Sequence, residues 1–138
     1  MNPAEFVWPL RVYWEDTDAG GVVYHARYLH FFERARSEWL RSLGYSQLQL
    51  QQQHDLVFAI RSMSIEFVRA ARMDDELQVS VTLASVGRAS LRFQQHIQRR
   101  ADELIASATV YAACLNSSSF KPRRIPADIL HRIAAAGC

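Results

Sequence analysis

The sequence predicts an α+β domain in which one long apolar helix packs on one face of an antiparallel sheet. One stretch near the N-terminus has apolar residues three or four apart, the spacing of a helix face. Five other stretches alternate apolar and polar residues with a period of two. The connections between the later alternating stretches are short, which suits antiparallel neighbours, because parallel strands need long crossovers. The order is strand, helix, then four strands, with the helix covering the sheet.

Phe6, Trp8, Leu10, Val12 and Trp14 alternate and read as the first strand. Pro9 has no N–H for a ladder, so this strand belongs at a sheet edge or a bulge. Glu15 to Gly21 form an acidic turn, in which Gly20 and Gly21 open conformations closed to other residues. From about Tyr24 to Leu43, Tyr28, Phe32, Ala35, Trp39 and Leu43 share one helix face. Leu29, Phe31 and Leu40 widen it, so this helix should be heavily buried. Gly44 stands just beyond its end, where a left-handed residue often terminates a helix. Ser46 to Gln53 reads as a second short helix or as a loop with helical turns.

Phe58 and Ile60 have one phase, and Met63, Ile65 and Phe67 have the other. That slip places a bulge near Arg61-Ser62. Leu77, Val79, Val81 and Leu83 form a half-buried strand. Gly87 interrupts, Leu91, Phe93 and Ile97 resume the pattern, and Leu104 to Cys114 supply the last strand. Pro126 opens a short helix from Ala127 to Ala135.

The 138 residues fit one domain able to bury its own core. A net charge of +2 gives no reason to expect a nucleic-acid partner. Fifteen of the 16 basic residues are Arg, with Lys121 the exception. Arg suits bidentate contacts to phosphate or carboxylate, although a genome-wide codon bias gives the same ratio. Cys114 and Cys138 are far apart with no CxxC pair, so neither a disulfide framework nor a zinc site is expected. Cys114, in an alternating run, reads as a buried small hydrophobe. Met1 to Trp8 lack a basic segment followed by an apolar run, and no stretch is long enough to span a bilayer. The chain therefore reads as cytoplasmic, without membrane insertion. His25 and His30 are five apart and share no helix face, no HExxH accompanies them or His54, and no GxSxG elbow occurs. No metal is expected.

The segment Glu15-Asp16-Thr17-Asp18-Ala19-Gly20-Gly21-Val22-Val23-Tyr24-His25 puts three carboxylates and two glycines directly before a buried helix. A helix N-terminus offers unpaired N–H groups and partial positive charge, which would stabilise the oxyanion of an acyl transfer. A carboxylate held nearby could attack as a nucleophile or activate water. The competing reading of such an Asp is a cap or an Asx-turn.

Trp14 to Tyr28, followed by Phe32-Glu33-Arg34-Ala35-Arg36, resembles the 4-hydroxybenzoyl-CoA thioesterase family, and most closely its subgroup associated with the bacterial Tol-Pal system. Weaker matches are Arg61-Ser62-Met63-Ser64-Ile65-Glu66-Phe67, Asp74-Asp75, Gly87-Arg88-Ala89-Ser90 and Lys121-Pro122-Arg123. The chain lacks the proline that the subgroup commonly has near Ala70-Ala71. The resemblance implies a hot-dog fold, a five-stranded antiparallel sheet curled around one long central helix. It implies hydrolysis of acyl-CoA thioesters without metal or organic cofactor. Asp18 takes the place of the catalytic carboxylate, as nucleophile or general base, and the His25 N–H that of the amide polarising the carbonyl. Tyr24-His25 matches the aromatic–histidine pair before the helix. The His25 side chain is left to contact the acyl group, hold a water or cap the helix.

The CoA phosphates need cationic surface. Arg88 matches a basic position of the family, with Ser90 beside it, while Lys121, Arg123 and Arg124 form a second basic cluster. Trp14, Tyr28 and Phe32 are candidates for the acyl pocket or for plain core packing. Relatives pair protomers through their sheets with active sites at the interface, so a homodimer or homotetramer is expected. Two other readings fit the motif: a non-enzymatic acyl binder that docks acyl carrier protein, and a dehydratase of 3-hydroxyacyl thioesters. The second needs a His base, where this motif presents Asp18.

Overall fold

The computed structural model describes residues 5–136, so Cys138 lies outside the described residues. Five strands form one antiparallel sheet in the order β1-β3-β4-β5-β2. They are β1 (Phe6–Arg11), β2 (Leu56–Phe67), β3 (Glu76–Val86), β4 (Ser90–Arg99) and β5 (Glu103–Asn116). The long helix α1 (Arg27–Ser42) lies within the curl of the sheet, the hot-dog arrangement implied above. Helix α2 (Gln47–His54) links α1 to β2, and helix α3 (Ala127–Ala136) follows β5. Among the described residues no helix is long and apolar enough to cross a membrane.

The core forms where the two periodicities meet. Tyr28, Phe31, Phe32, Ala35, Trp39 and Leu40 of α1 are buried against Leu77, Val79 and Val81 of β3 and Leu91, Phe93 and Ile97 of β4. Trp39 meets Phe93 edge to face at 5.1 Å. Pro9 sits on the edge strand β1, whose ladder with β3 runs unbroken from Phe6 to Arg11, so the missing donor faces outward. The expected slip in β2 is a break in register between Ile60 and Ser62. Ser46 turns the next segment into a true helix, its hydroxyl accepting the Gln49 N–H at 3.1 Å.

Three expectations need correction. The first strand ends at Arg11, and Trp14 stands on a short 3₁₀ turn (Trp14–Asp16), 79% exposed. The cause is Asp16, whose carboxylate accepts the Tyr13 N–H at 2.8 Å and turns the chain out of the sheet. Helix α1 begins at Arg27, not near Tyr24. Leu29 is 43% exposed, because one residue beyond Tyr28 is a rotation of about 100° away from the buried face.

Candidate active site

The chain leaves β1 through backbone pairing of Val12 with Asp74 and Asp75, at 2.9 Å each. It then makes a tight hairpin, closed by a bridge between Thr17 and Val23 and by the Asp18 N–H on the Val22 carbonyl at 3.0 Å. Gly21 adopts φ +79°, which disfavours any side chain there. The Asp18 Oδ1 accepts the Gly20 N–H at 2.8 Å, an Asx-turn. A Cβ at position 20 would approach that same oxygen to 3.1 Å.

The neighbouring carboxylates are sorted by burial. Asp16 is 5% exposed and is tied twice, by the Tyr13 N–H and by Arg27, whose Nε lies 3.4 Å from its Oδ1. Arg27 also donates to the Glu15 carbonyl at 3.1 Å. Asp18 is exposed, and among the described residues the Gly20 N–H is the one group that donates to its carboxylate. Both the turn reading and an available carboxylate therefore hold at Asp18. Asp16 serves the turn.

The hairpin leads straight into the helix. The Tyr24 N–H donates to the Asp16 carbonyl and the Val23 N–H to the Ala71 carbonyl, each at 2.8 Å. Just beyond these ties, the His25 and Ala26 N–H groups meet no acceptor among the described residues, and no side chain caps α1. Two unpaired amides thus stand at the positive end of a 16-residue helix. The His25 ring leans on Tyr24 at 4.6 Å and on Phe67 at 6.4 Å, an aromatic contact instead of a cap. Beside it opens a shallow cavity of about 320 Å³, walled by Val23, His25, Tyr28, Phe67, Val68 and Ala70.

The far wall is held from behind. The buried Ala71 N–H donates to the Tyr28 hydroxyl at 3.1 Å. Burial pushes the Tyr28 phenol above its ordinary value; the Ala71 N–H and Arg99 oppose this, while Asp75 and Asp18 add to it. Arg99 reaches the Ala70 carbonyl at 3.2 Å, Asp75 at 2.7 Å and Glu103 at 2.6 Å. Burial alone would raise the Asp75 carboxyl, but the Arg72 N–H and the Arg99 guanidinium outweigh it and hold it below the usual range. Sequence reasoning did not single out Arg99 or the Tyr28–Ala71 bond, which join segments distant in the chain. The unused proline position makes sense here: a proline at 71 would remove the donor that Tyr28 receives.

Asp18, Tyr24 and His25 lie on the same hairpin and the helix entry that follows it, whereas Arg88 and Ser90 lie elsewhere. Arg88 is exposed in the β3–β4 turn, where the Gly87 N–H donates to the Ser90 carbonyl at 2.8 Å. That turn follows the last residue of the 11-residue strand β3, whose first residue lies on the Asp18 side. The two groups are therefore roughly 30 Å apart along the strand within one chain. In the second basic cluster, Arg123 donates to the His54 carbonyl at 2.7 Å and has a structural role. Tyr28 and Phe32 belong to the core, with Tyr28 also on the cavity wall.

Residues 12–133 match the family described as the thioesterase-like superfamily. The chain belongs to that superfamily. A thioesterase-like relative in Haemophilus influenzae, named acyl-CoA thioesterase YbgC, is 44% identical over 124 residues, covering 90% of each chain. An Escherichia coli protein named acyl-CoA thioester hydrolase YbgC is 43% identical over 130 residues, covering 94% of this chain and 96% of the relative. Among solved structures, a probable thioesterase from Bartonella henselae superposes with a TM-score of 0.84 at 38% identity, covering 88% of this chain and 99% of that one. The family read from the Asp18 motif and the hot-dog fold are both borne out, and the chain is a thioesterase-like enzyme.

Proposed function

We propose that this protein is a cytoplasmic acyl-CoA thioesterase that uses Asp18 and the N-terminus of α1 to release a free acid and CoA. One observation carries the reading. An exposed carboxylate, oriented by the Gly20 N–H, stands on a hairpin that runs directly into an uncapped helix terminus. The names of the H. influenzae and E. coli relatives support the substrate class.

The thioester carbonyl oxygen would accept from the His25 N–H, which strengthens as negative charge develops on that oxygen. Asp18 supplies the electron pair. In one route it attacks the carbonyl carbon, the C–S bond breaks, CoA leaves as thiolate, and water cleaves the resulting anhydride. In the other it takes a proton from a water that attacks the same carbon, the C–S bond breaks, and CoA leaves as thiolate with the free acid formed directly. Both need the ionised carboxylate. The acyl group would lie along the cavity of Tyr28, Phe67 and Val68, with the Tyr24 and His25 rings at its mouth. No resident metal or organic cofactor takes part in this scheme.

The reading extends to assembly. Strand β2 is a 12-residue sheet edge with Ile60 and Phe67 about half exposed, an open template for a second copy. A homodimer through this edge, alone or doubled into a tetramer, would let the Arg88 and Ser90 turn of one protomer meet CoA phosphates bound at the other's helix terminus. The direct test is Asp18→Asn, assayed for thiol release from acyl-CoAs of graded chain length. A folded variant that turns over like the wild type would remove the proposal, and light scattering that shows an active monomer would remove the shared site.

A further inference from the structure

Arg36 is the least expected side chain in the core. It projects from α1 among Trp39, Leu40, Leu91 and Phe93 and is 8% exposed. Its Nη1 donates to the Gln95 Oε1 at 2.8 Å. Gln95 is fully buried and anchored in turn, its Nε2 donating to the Phe32 carbonyl at 3.1 Å and the Ser80 carbonyl at 3.3 Å. No carboxylate lies within ion-pair distance of Arg36 among the described residues. A guanidinium carries five N–H donors, and the protein engages one nitrogen. Neither of its other two side-chain nitrogens is fully sealed from solvent without a partner.

Arg36 lines a cavity of about 150 Å³ between α1 and the β2 side of the sheet. Its walls are mainly apolar, from Trp39, Leu40, Phe58, Ile60, Leu91 and Phe93, with Glu33 and Gln47 also on its lining. The volume matches about five waters' share of liquid volume. Arg36 lies nine residues into α1 from Arg27, about 13 Å along the axis from the helix terminus. It is therefore separate from the cavity beside His25.

We infer that this cavity is a binding site for a short-chain carboxylate, whose two oxygens engage the free fork of Arg36 and whose alkyl end fills the aromatic and aliphatic walls. A planar fork pairs best with a carboxylate or phosphate, and the apolar walls select the former with a short chain attached. A buried cation without a counter-ion is costly, and the surroundings register it: burial lowers the Arg36 guanidinium to about 10, with Glu33 acting against that shift. A bound carboxylate would supply the missing charge. That this ligand is of the same class as the acid released by hydrolysis rests on the function proposed above; the site itself does not.

Calorimetric titration of the whole chain with sodium butyrate, in a buffer free of other carboxylates, tests it. Saturable binding is expected, weaker by about tenfold or more for the uncharged, near-isosteric butyramide. Arg36→Gln should weaken butyrate to a similar extent. Glu33→Gln removes a competing carboxylate and should tighten it by about two- to fivefold. Asp18→Asn should bind butyrate like the wild type, so a failed catalytic assignment and a failed site are distinct results. Equal affinity for butyrate and butyramide in the wild type overturns the inference, as does undiminished binding by Arg36→Gln. Absence of binding, with an altered oligomeric state in Arg36→Gln, also overturns it and assigns the cavity to an acidic side chain of a second copy.

Discussion

Asp16→Asn should lower stability while sparing catalysis, the reverse of Asp18→Asn. The Asp16 carboxylate is buried and receives the Tyr13 N–H at 2.8 Å on one oxygen, while Arg27 stands 3.4 Å from the other. A buried hydrogen bond to a charged group contributes roughly 1.5–3 kcal/mol, against about 1 for a neutral one. Asn keeps an acceptor for Tyr13 but turns an NH₂ toward Arg27, so the charge component is lost there. The Arg27 side chain is 27% exposed, and solvent screening limits that pair to roughly 0.5–1 kcal/mol. The net loss is about 1–2 kcal/mol, or a fall in Tm of roughly 3–8 °C for a chain of this length. Calorimetric melting beside thiol-release kinetics at 25 °C measures both quantities on one preparation. Asp16→Asn should keep kcat/KM within a few-fold of the wild type. Asp18→Asn should keep its Tm and lose about 10²–10⁴-fold in rate. An Asp16→Asn protein with an unchanged Tm and no hydrolysis would refute this division of labour and make the buried carboxylate the reacting one.

Tyr28→Phe leaves the buried Ala71 N–H without an acceptor, at a cost of about 1–3 kcal/mol, and hydrogen exchange at that amide should speed up. Arg99→Gln should flatten the acid limb of stability. Asp75 and Glu103 are held below their ordinary values, so their contribution is complete above about pH 5 and is lost as pH falls through their lower folded-state values. Urea midpoints at pH 7 and pH 3 should therefore differ less in that variant. Arg88→Ala should raise KM for acyl-CoA with kcat nearly unchanged, because a phosphate contact remote from the thioester is equal in ground and transition states. An unaltered KM would leave Arg88 a solvated turn residue.

Local constraints were the legible ones. Pro9 marked an edge strand and the phase slip at Arg61-Ser62 marked a break in register, since each follows from one residue's covalent geometry or from a period of two. The buried stripe of α1 was readable for the same reason, apart from Leu29. Trp14 was misplaced because the turn at Asp16 wins over alternation, and that turn depends on a side chain finding a backbone N–H. Asp16 and Asp18 look alike in sequence. Resemblance singled out Asp18, and folding distinguishes the two: Asp16 is buried and tied to the Tyr13 N–H and Arg27, while Asp18 stays exposed. The Arg36–Gln95 pair was not legible because its members are 59 residues apart, and each looks like an ordinary polar side chain until α1 is laid on β4.

The two margins of the sheet have unequal valence. Strand β1 is six residues long and carries Pro9, whereas β2 runs for 12 residues with no proline. A building block with two adhesive margins polymerises, but one with a single adhesive margin stops after the first addition. With copies pairing through β2 as proposed above, Pro9 would act as a chain terminator. It would allow β2 to stay long and apolar enough for that pairing without making the protein a fibre-forming unit, and its replacement by a strand-forming residue would remove that safeguard before it disturbed the core.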